Sequence, residues 1–388
     1  MSLPALSRPL SVASAVRSVR VARGWASLAS LATPSLRPFS HSPLRLDARP
    51  KSPSPPSAFS SRGYAVGNTV SDPAVKPPPG PTGNTVELDY EAYHPKSSDA
   101  AAAAAPRVKP LGPIVVCHGL FGSKQNWRSL GRAMASRFGV DVYALDLRNH
   151  GTSPHIDGLD YRDMAADVGR FLAEKGLDNV VLIGHSMGGK VVMSAVLDAE
   201  IGKRVSKLIS VDMSPRRGPL SKEFEQYMEG MVEIEEAKCE TRSAADELLQ
   251  KIEPDLGVRQ FLLTNLTRNP PDSASWSWRI PVRTMQKHIS SIGDFPYDAP
   301  GSTDEGGSGD ARAWDGDVLF VKGAKSKYIN RRNVPTNRAH FPNSKMVVMD
   351  TGHWCQAEKP NEFVQVVEDF IKGQTVDVTD EALKPRSA

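Results

Sequence analysis

From residue 114 onward the chain alternates between two hydrophobic rhythms. Short runs rich in β-branched residues recur at 114–117, 140–145, 180–183, 208–211, 318–321 and 346–349. Most of these runs are apolar at successive positions rather than at every second one, the pattern of strands buried on both faces of a parallel sheet. Segments at 127–137, 161–175, 189–199 and 361–371 carry apolar residues at three and four spacing, which predicts amphipathic helices. The rhythm stops after Pro215 and resumes near Asp315. In that interval Met228, Met231, Ile234, Leu248, Leu249, Phe261, Leu262 and Leu263 are spaced for helix packing, so an inserted helical cap is expected over about 216–312. Its last stretch, 301–311, is rich in Gly, Ser and Asp and is expected to be a surface loop. The fold class is α/β: a mostly parallel sheet with helices on both faces and a helical cap.

Charge changes the picture at the N-terminus. Residues 1–84 hold eight arginines and two lysines against Asp47 and Asp72, leaving 38 basic and 42 acidic side chains beyond them. The net charge of +4 is thus +8 in the leading segment and −4 in the rest, which argues against nucleic acid as a partner of the folded part. Residues 1–46 carry six arginines, many serines and no acid, the composition of a mitochondrial transit peptide. Residues 47–85 are Pro-, Ser- and Gly-rich and too poor in apolar groups to offset the entropy of ordering, so they are expected to be a linker. The folded domain is expected over 86–372, with 373–388 as a tail. No run reaches the roughly 18 apolar residues of a membrane span. Three cysteines, Cys117, Cys239 and Cys355, make no disulfide framework, and none lies in a C-x-x-C pair.

The chemistry concentrates at Val180-Val-Leu-Ile-Gly184-His185-Ser186-Met187-Gly188-Gly189-Lys190, an apolar run leading into G-x-S-x-G and then into a helix. This is the context of a nucleophile elbow, with Ser186 as the nucleophile at the carboxyl edge of the sheet. A hydroxyl needs a base. His353, in Asp350-Thr-Gly-His353-Trp354 after the last apolar run, is the expected one. The usual place for the orienting acid, just after 318–321, holds Lys322-Gly-Ala-Lys325 and no carboxylate. Asp212, which ends the run 208–211, is therefore the expected acid. Competing readings leave Asp212 as a cap at the start of the insertion, or give the role to a cap-loop acid such as Asp298. The oxyanion would be met by the backbone amides of Met187 and of Leu120 in Cys117-His118-Gly119-Leu120-Phe121-Gly122. In Asp146-Leu-Arg148-Asn149-His150-Gly151, the charged residues are expected to order loops, and Cys117 and Cys355 to pack. No metal or organic cofactor is implied.

The elbow, the His-Gly-Leu-Phe-Gly loop, Asp-Leu-Arg-Asn-His-Gly, Val-Asp212-Met-Ser-Pro and Gly-His353-Trp354 together resemble the α/β-hydrolase fold. Gly-His-Ser-Met-Gly-Gly-Lys190 and Val258-Arg-Gln-Phe-Leu-Leu-Thr264-Asn265-Leu266 are similar to the mitochondrial α/β-hydrolase domain-containing protein 11 family, with the yeast ethanol acetyltransferases as related proteins. The resemblance implies a serine hydrolase of esters or thioesters in the mitochondrial matrix, associated with the 2-oxoglutarate dehydrogenase complex. Because an acyl-enzyme can pass its acyl group to an alcohol instead of water, the alternative is an alcohol O-acetyltransferase making esters from a small alcohol with acetyl-CoA as co-substrate. A third reading, from another class, is a non-catalytic scaffold protecting that complex. Some members assign an acid within the cap, at the segment matching Ile280-Pro-Val-Arg283-Thr-Met, but this chain has no carboxylate there, which favours Asp212.

Overall fold

The computed structural model describes residues 85–96, 111–301, 309–375 and 377. The expected transit peptide, nearly all of the linker, most of the C-terminal tail and the centre of the 301–311 loop lie outside the described residues.

The six apolar runs form six neighbouring parallel strands: β2 (Ile114–Cys117), β3 (Val142–Leu145), β4 (Val180–His185), β5 (Val205–Val211), β8 (Asp317–Gly323) and β9 (Ser344–Met349). With an antiparallel edge strand, β1 (Tyr90–Tyr93), they make a seven-stranded sheet in the order β1-β3-β2-β4-β5-β8-β9. Alternate residues of each run feed opposite cores, which is why the runs are apolar throughout. Val115, Cys117, Leu182 and Leu208 meet Met164, Val168 and Val192 on one face. Ile114, Val116, Val181 and Ile209 meet Trp127, Met134, Phe138, Phe363 and Val367 on the other.

The helices follow the periodicity closely: α1 (Arg128–Phe138), α2 (Tyr161–Glu174), α3 (Met187–Leu197) and, at the end of the domain, Pro360–Ile371. The first ends at Gly139, whose left-handed φ of 67° closes the last turn, so β3 starts at Val142 rather than at Val140. The cap enters between β5 and β8 as α4 (Lys222–Ala237), α5 (Arg242–Gln250), α6 (Leu256–Leu263), a two-stranded ribbon of β6 (Leu266–Thr267) with β7 (Ser277–Trp278), and α7 (Val282–His288). Met228, Met231, Ile234, Leu249, Leu262 and Leu263 are buried in the same core as the α2–α3 face of the sheet, so the cap is packed onto the domain by one continuous apolar layer. Among the features not anticipated from sequence are β1, the ribbon, and a short helix α8 (Val334–His340), which holds few apolar residues.

Candidate active site

β4 delivers Ser186 directly to the N-terminus of α3, and the turn between them is tight. Ser186 adopts φ 54° and ψ −120°, a strained conformation for a residue with a Cβ, costing on the order of 1–3 kcal/mol. Its neighbours explain the small residues. A Cβ on Gly184 would stand 2.1 Å from the Gly188 carbonyl oxygen, and one on Gly188 would stand 2.4 Å from the carbonyl oxygens of both Cys117 and His118. The turn is held by Ser186 N–H donating to the Val211 carbonyl (3.1 Å) and Gly189 N–H donating to Ser186 O (2.8 Å).

The loop after β2 lies against this elbow, since a Cβ on Gly119 would be 3.2 Å from Ser186 Cβ. Two buried histidines fix that loop. His118 Nδ1 donates to Gly119 O (2.8 Å) while its Nε2 accepts from Leu147 N–H (3.0 Å). His150 Nδ1 donates to Arg148 O (2.9 Å) while its Nε2 accepts from Phe121 N–H (3.2 Å). Each must be neutral to accept, and burial enforces this, pushing His150 down to about 3 and lowering His118. The Leu120 and Met187 amides have no hydrogen-bond partner among the described residues, and both residues line the cavity with Ser186. The Asp146–Asn149 stretch is structural: Asp146 accepts from the Lys124 and Thr152 amides (2.6 and 2.9 Å), and Arg148 pairs with the buried Asp167 through Nε (2.6 Å) and Nη2 (2.8 Å).

His353 sits in the loop beyond β9, and its Nδ1 is 2.7 Å from Asp212 Oδ2. Asp212 is fully buried, takes φ 51° at the end of β5, and accepts from Gly323 N–H through its other oxygen (3.0 Å). Of the two candidate acids, Asp212 reaches His353. Asp298 is engaged elsewhere, by Arg217 and by the Gly309 amide (2.7 Å). Sequence reasoning missed what flanks the imidazole. Tyr328 stacks on it with ring centroids 4.1 Å apart, and burial pushes the tyrosine phenol up to about 12. On another side His185 packs at 4.7 Å, and its Nε2 donates to the His353 carbonyl (3.0 Å). Burial, together with the adjoining His353, holds His185 well below the ordinary histidine range, so it is a neutral donor. Cys117 and Cys355 are buried thiols, each pushed up to about 12 by burial, and pack rather than react at neutral pH.

A cavity of about 310 Å³ opens beside Ser186. Its wall combines Leu120, Met187 and Met213 from the sheet edge with Leu220, Phe224 and Ile292 from the cap. Lys190, four residues after Ser186 on α3, ties the cap to this edge: its ammonium donates to the carbonyls of Ile292 (3.3 Å), Gly293 (3.0 Å) and Asp294 (2.7 Å). Burial pushes Lys190 down to about 7, against an opposing pull from Asp294. Among the described residues, no group of three or more His, Cys, Asp or Glu is placed to hold a metal, and no helix is long and apolar enough to cross a membrane.

The sheet order, the strained serine between strand and helix, and the inserted cap define an α/β-hydrolase. The family signature for the alpha/beta hydrolase fold matches residues 112–360, and the chain belongs to that family of enzymes. Among its relatives, an abhydrolase domain-containing protein of Schizosaccharomyces pombe is 34% identical over 74% of this chain and 97% of its own length. The sn-1-specific diacylglycerol lipase ABHD11 of Xenopus laevis is 36% identical over 67% of this chain and 80% of its own. A probable alcohol acetyltransferase of Saccharomyces cerevisiae is 35% identical over 68% of this chain and 78% of its own. A solved marine microorganism esterase is similar in structure, with a TM-score of 0.62 and 29% identity, covering 74% of this chain and all of that one.

Proposed function

We propose that the chain is a serine hydrolase of carboxylic esters or thioesters, working through an acyl-enzyme on Ser186. The observation that carries this reading is the His353–Asp212 pair at 2.7 Å, held at the same sheet edge as a serine in the strained elbow. Ser186 Oγ attacks the acyl carbonyl as His353 takes its proton. Buried Asp212, acceptor-only when ionised, fixes the Nδ1–H tautomer and stabilises the imidazolium without itself being protonated. The free amides of Leu120 and Met187, the latter at a helix N-terminus, meet the developing oxyanion. His353 then returns the proton to the leaving alcohol or thiol, and water repeats the sequence to release the acid. The relatives named as a diacylglycerol lipase and a solved esterase support the ester class.

A relative named as a probable alcohol acetyltransferase favours a second reading, in which an alcohol replaces water at the acyl-enzyme, with acetyl-CoA as donor. The cap closes an apolar wall over Ser186, which suits an alcohol as well as an acyl chain. Both readings are tested by following acid and ester products from acetyl-CoA and from a short p-nitrophenyl ester at rising ethanol. Acid production insensitive to ethanol supports hydrolysis; a growing ester fraction supports transfer; no turnover in a well-folded protein contradicts both and leaves the scaffold reading. The composition of residues 1–46 supports a mitochondrial address, tested by whether that segment carries a fluorescent protein into mitochondria.

A further inference from the structure

The cavity beside Ser186 is apolar along Leu120, Met213, Leu220 and Phe224, yet the same lining includes two exposed cations, Arg216 and Lys327. Their neighbours are neutralised: Arg217 pairs with Asp294 and Asp298, and Lys325 pairs with Asp350 (2.9 Å). Arg216 and Lys327 have no acidic partner among the described residues. Nor do Arg331 and Arg332, which are exposed and lie between the lining residues Asn330 and Asn333. Of the two acids whose charge reaches Tyr328, Asp212 is paired with His353 and Glu223 is engaged by Ser221 Oγ (2.8 Å).

The loop that presents Lys327 is built rather than loose. Asn330 Nδ2 donates to the Lys327 carbonyl (3.1 Å), Asn333 Nδ2 to the Tyr328 carbonyl (2.7 Å), and the buried Lys322 ammonium to the Ser326 carbonyl (3.0 Å). The residue after Lys327 is the tyrosine stacked on His353. A rigid basic rim therefore stands one residue from the ring that flanks the base, on a domain whose charge beyond residue 84 is net −4. Arg216 and Lys327 line one cavity, and a guanidinium and an ammonium are both groups that bind phosphate oxygens.

We propose that Arg216 and Lys327 form a subsite for a phosphate carried by the leaving group of the acyl donor. The substrate class is then an acyl compound whose alcohol or thiol part is phosphorylated. The inference rests on the acyl-enzyme reading. Ser186 Oγ bonds to the acyl carbon as the carbon–oxygen or carbon–sulfur bond breaks, the serine proton passes through His353 to the leaving group, and the phosphate binds without reacting. Because both cations are exposed, their pull is screened by salt and acts chiefly on KM.

The test compares matched pairs on the full chain: acetyl-CoA against neutral S-acetyl-N-acetylcysteamine, and a lysophosphatidate against the monoacylglycerol with the same acyl chain. The wild type is expected to prefer the phosphorylated member of one pair by about tenfold or more in kcat/KM, a preference that shrinks as salt is raised. A preference within the first pair identifies a nucleotide thioester, one within the second a glycerophospholipid. The doubly substituted Arg216→Ala, Lys327→Ala protein should lose most of that ratio, and the charge-keeping Arg216→Lys, Lys327→Arg protein should retain it. Equal kcat/KM within both pairs, or a ratio that survives the alanine substitutions, would overturn the subsite while leaving the acyl-enzyme intact. Absence of any turnover of p-nitrophenyl acetate would instead remove the acyl-enzyme reading and the subsite with it.

Discussion

Ser186, His353 and Asp212 come from the ends of three parallel strands or the loops beyond them, and each is placed by its own local constraint. Ser186 is lifted by a strained turn, Asp212 by a left-handed φ of 51°, and His353 by the stacked Tyr328 ring on one side and the tilted His185 ring on another. Asp212 carries the most testable claim. Asp212→Asn keeps the shape and the Gly323 contact but allows the wrong imidazole tautomer, so kcat should fall by about 10³–10⁴-fold. The thermal midpoint should move by only a few degrees. A loss below tenfold, measured by steady-state hydrolysis of a p-nitrophenyl ester, would assign the orienting role to another acid. The pairing of Asp212 with His353 was legible in sequence because the expected place after 318–321 holds lysines and because the run 208–211 ends in an acid. The neutral histidines His118, His150 and His185 were not legible in these roles. Their state is set by burial and by partners up to 168 positions away, which no local pattern encodes.

Among the elements, the strands buried on both faces were legible to within two or three residues, and so were the helices with a clear apolar stripe. The edge strand Tyr90–Tyr93 was not, since three of its four residues, Tyr-Glu-Ala-Tyr, are only partly buried and they carry no continuous apolar run. The joint between α3 and the cap was equally hidden, because a lysine four residues after the elbow reads as a solvated side chain until the 292–294 carbonyls surround it. That joint predicts a pH dependence. Lys190 is held near 7 in the folded chain against 10.5 for the free side chain, so between those values the unfolded chain binds a proton that the folded chain has released. Stability should therefore rise with pH across that window and be insensitive to this group below it. Lys190→Met should flatten the rise, read by chemical denaturation at pH values of about 6, 8 and 9.5. Parallel profiles for the two proteins would contradict the assignment.

At the scale of the molecule, the sheet face and the cap share one apolar core, so the cap is expected to unfold with the domain. Met231→Ala, a fully buried cap residue, should cost about 2–5 kcal/mol and lower the midpoint of a single thermal transition. A separate early transition in calorimetry, with the sheet still folded, would show the cap to be independent. The central claim joins these scales: a strand-end serine, a loop histidine and a buried aspartate act as one nucleophilic unit. It is tested most directly by treating the full chain with a fluorophosphonate and locating the adduct by peptide mass spectrometry. The expected result is a single adduct on Ser186, absent from Ser186→Ala and formed at least about a hundredfold more slowly in His353→Ala. No adduct in a folded protein, or labelling at unchanged rate in His353→Ala, would contradict it.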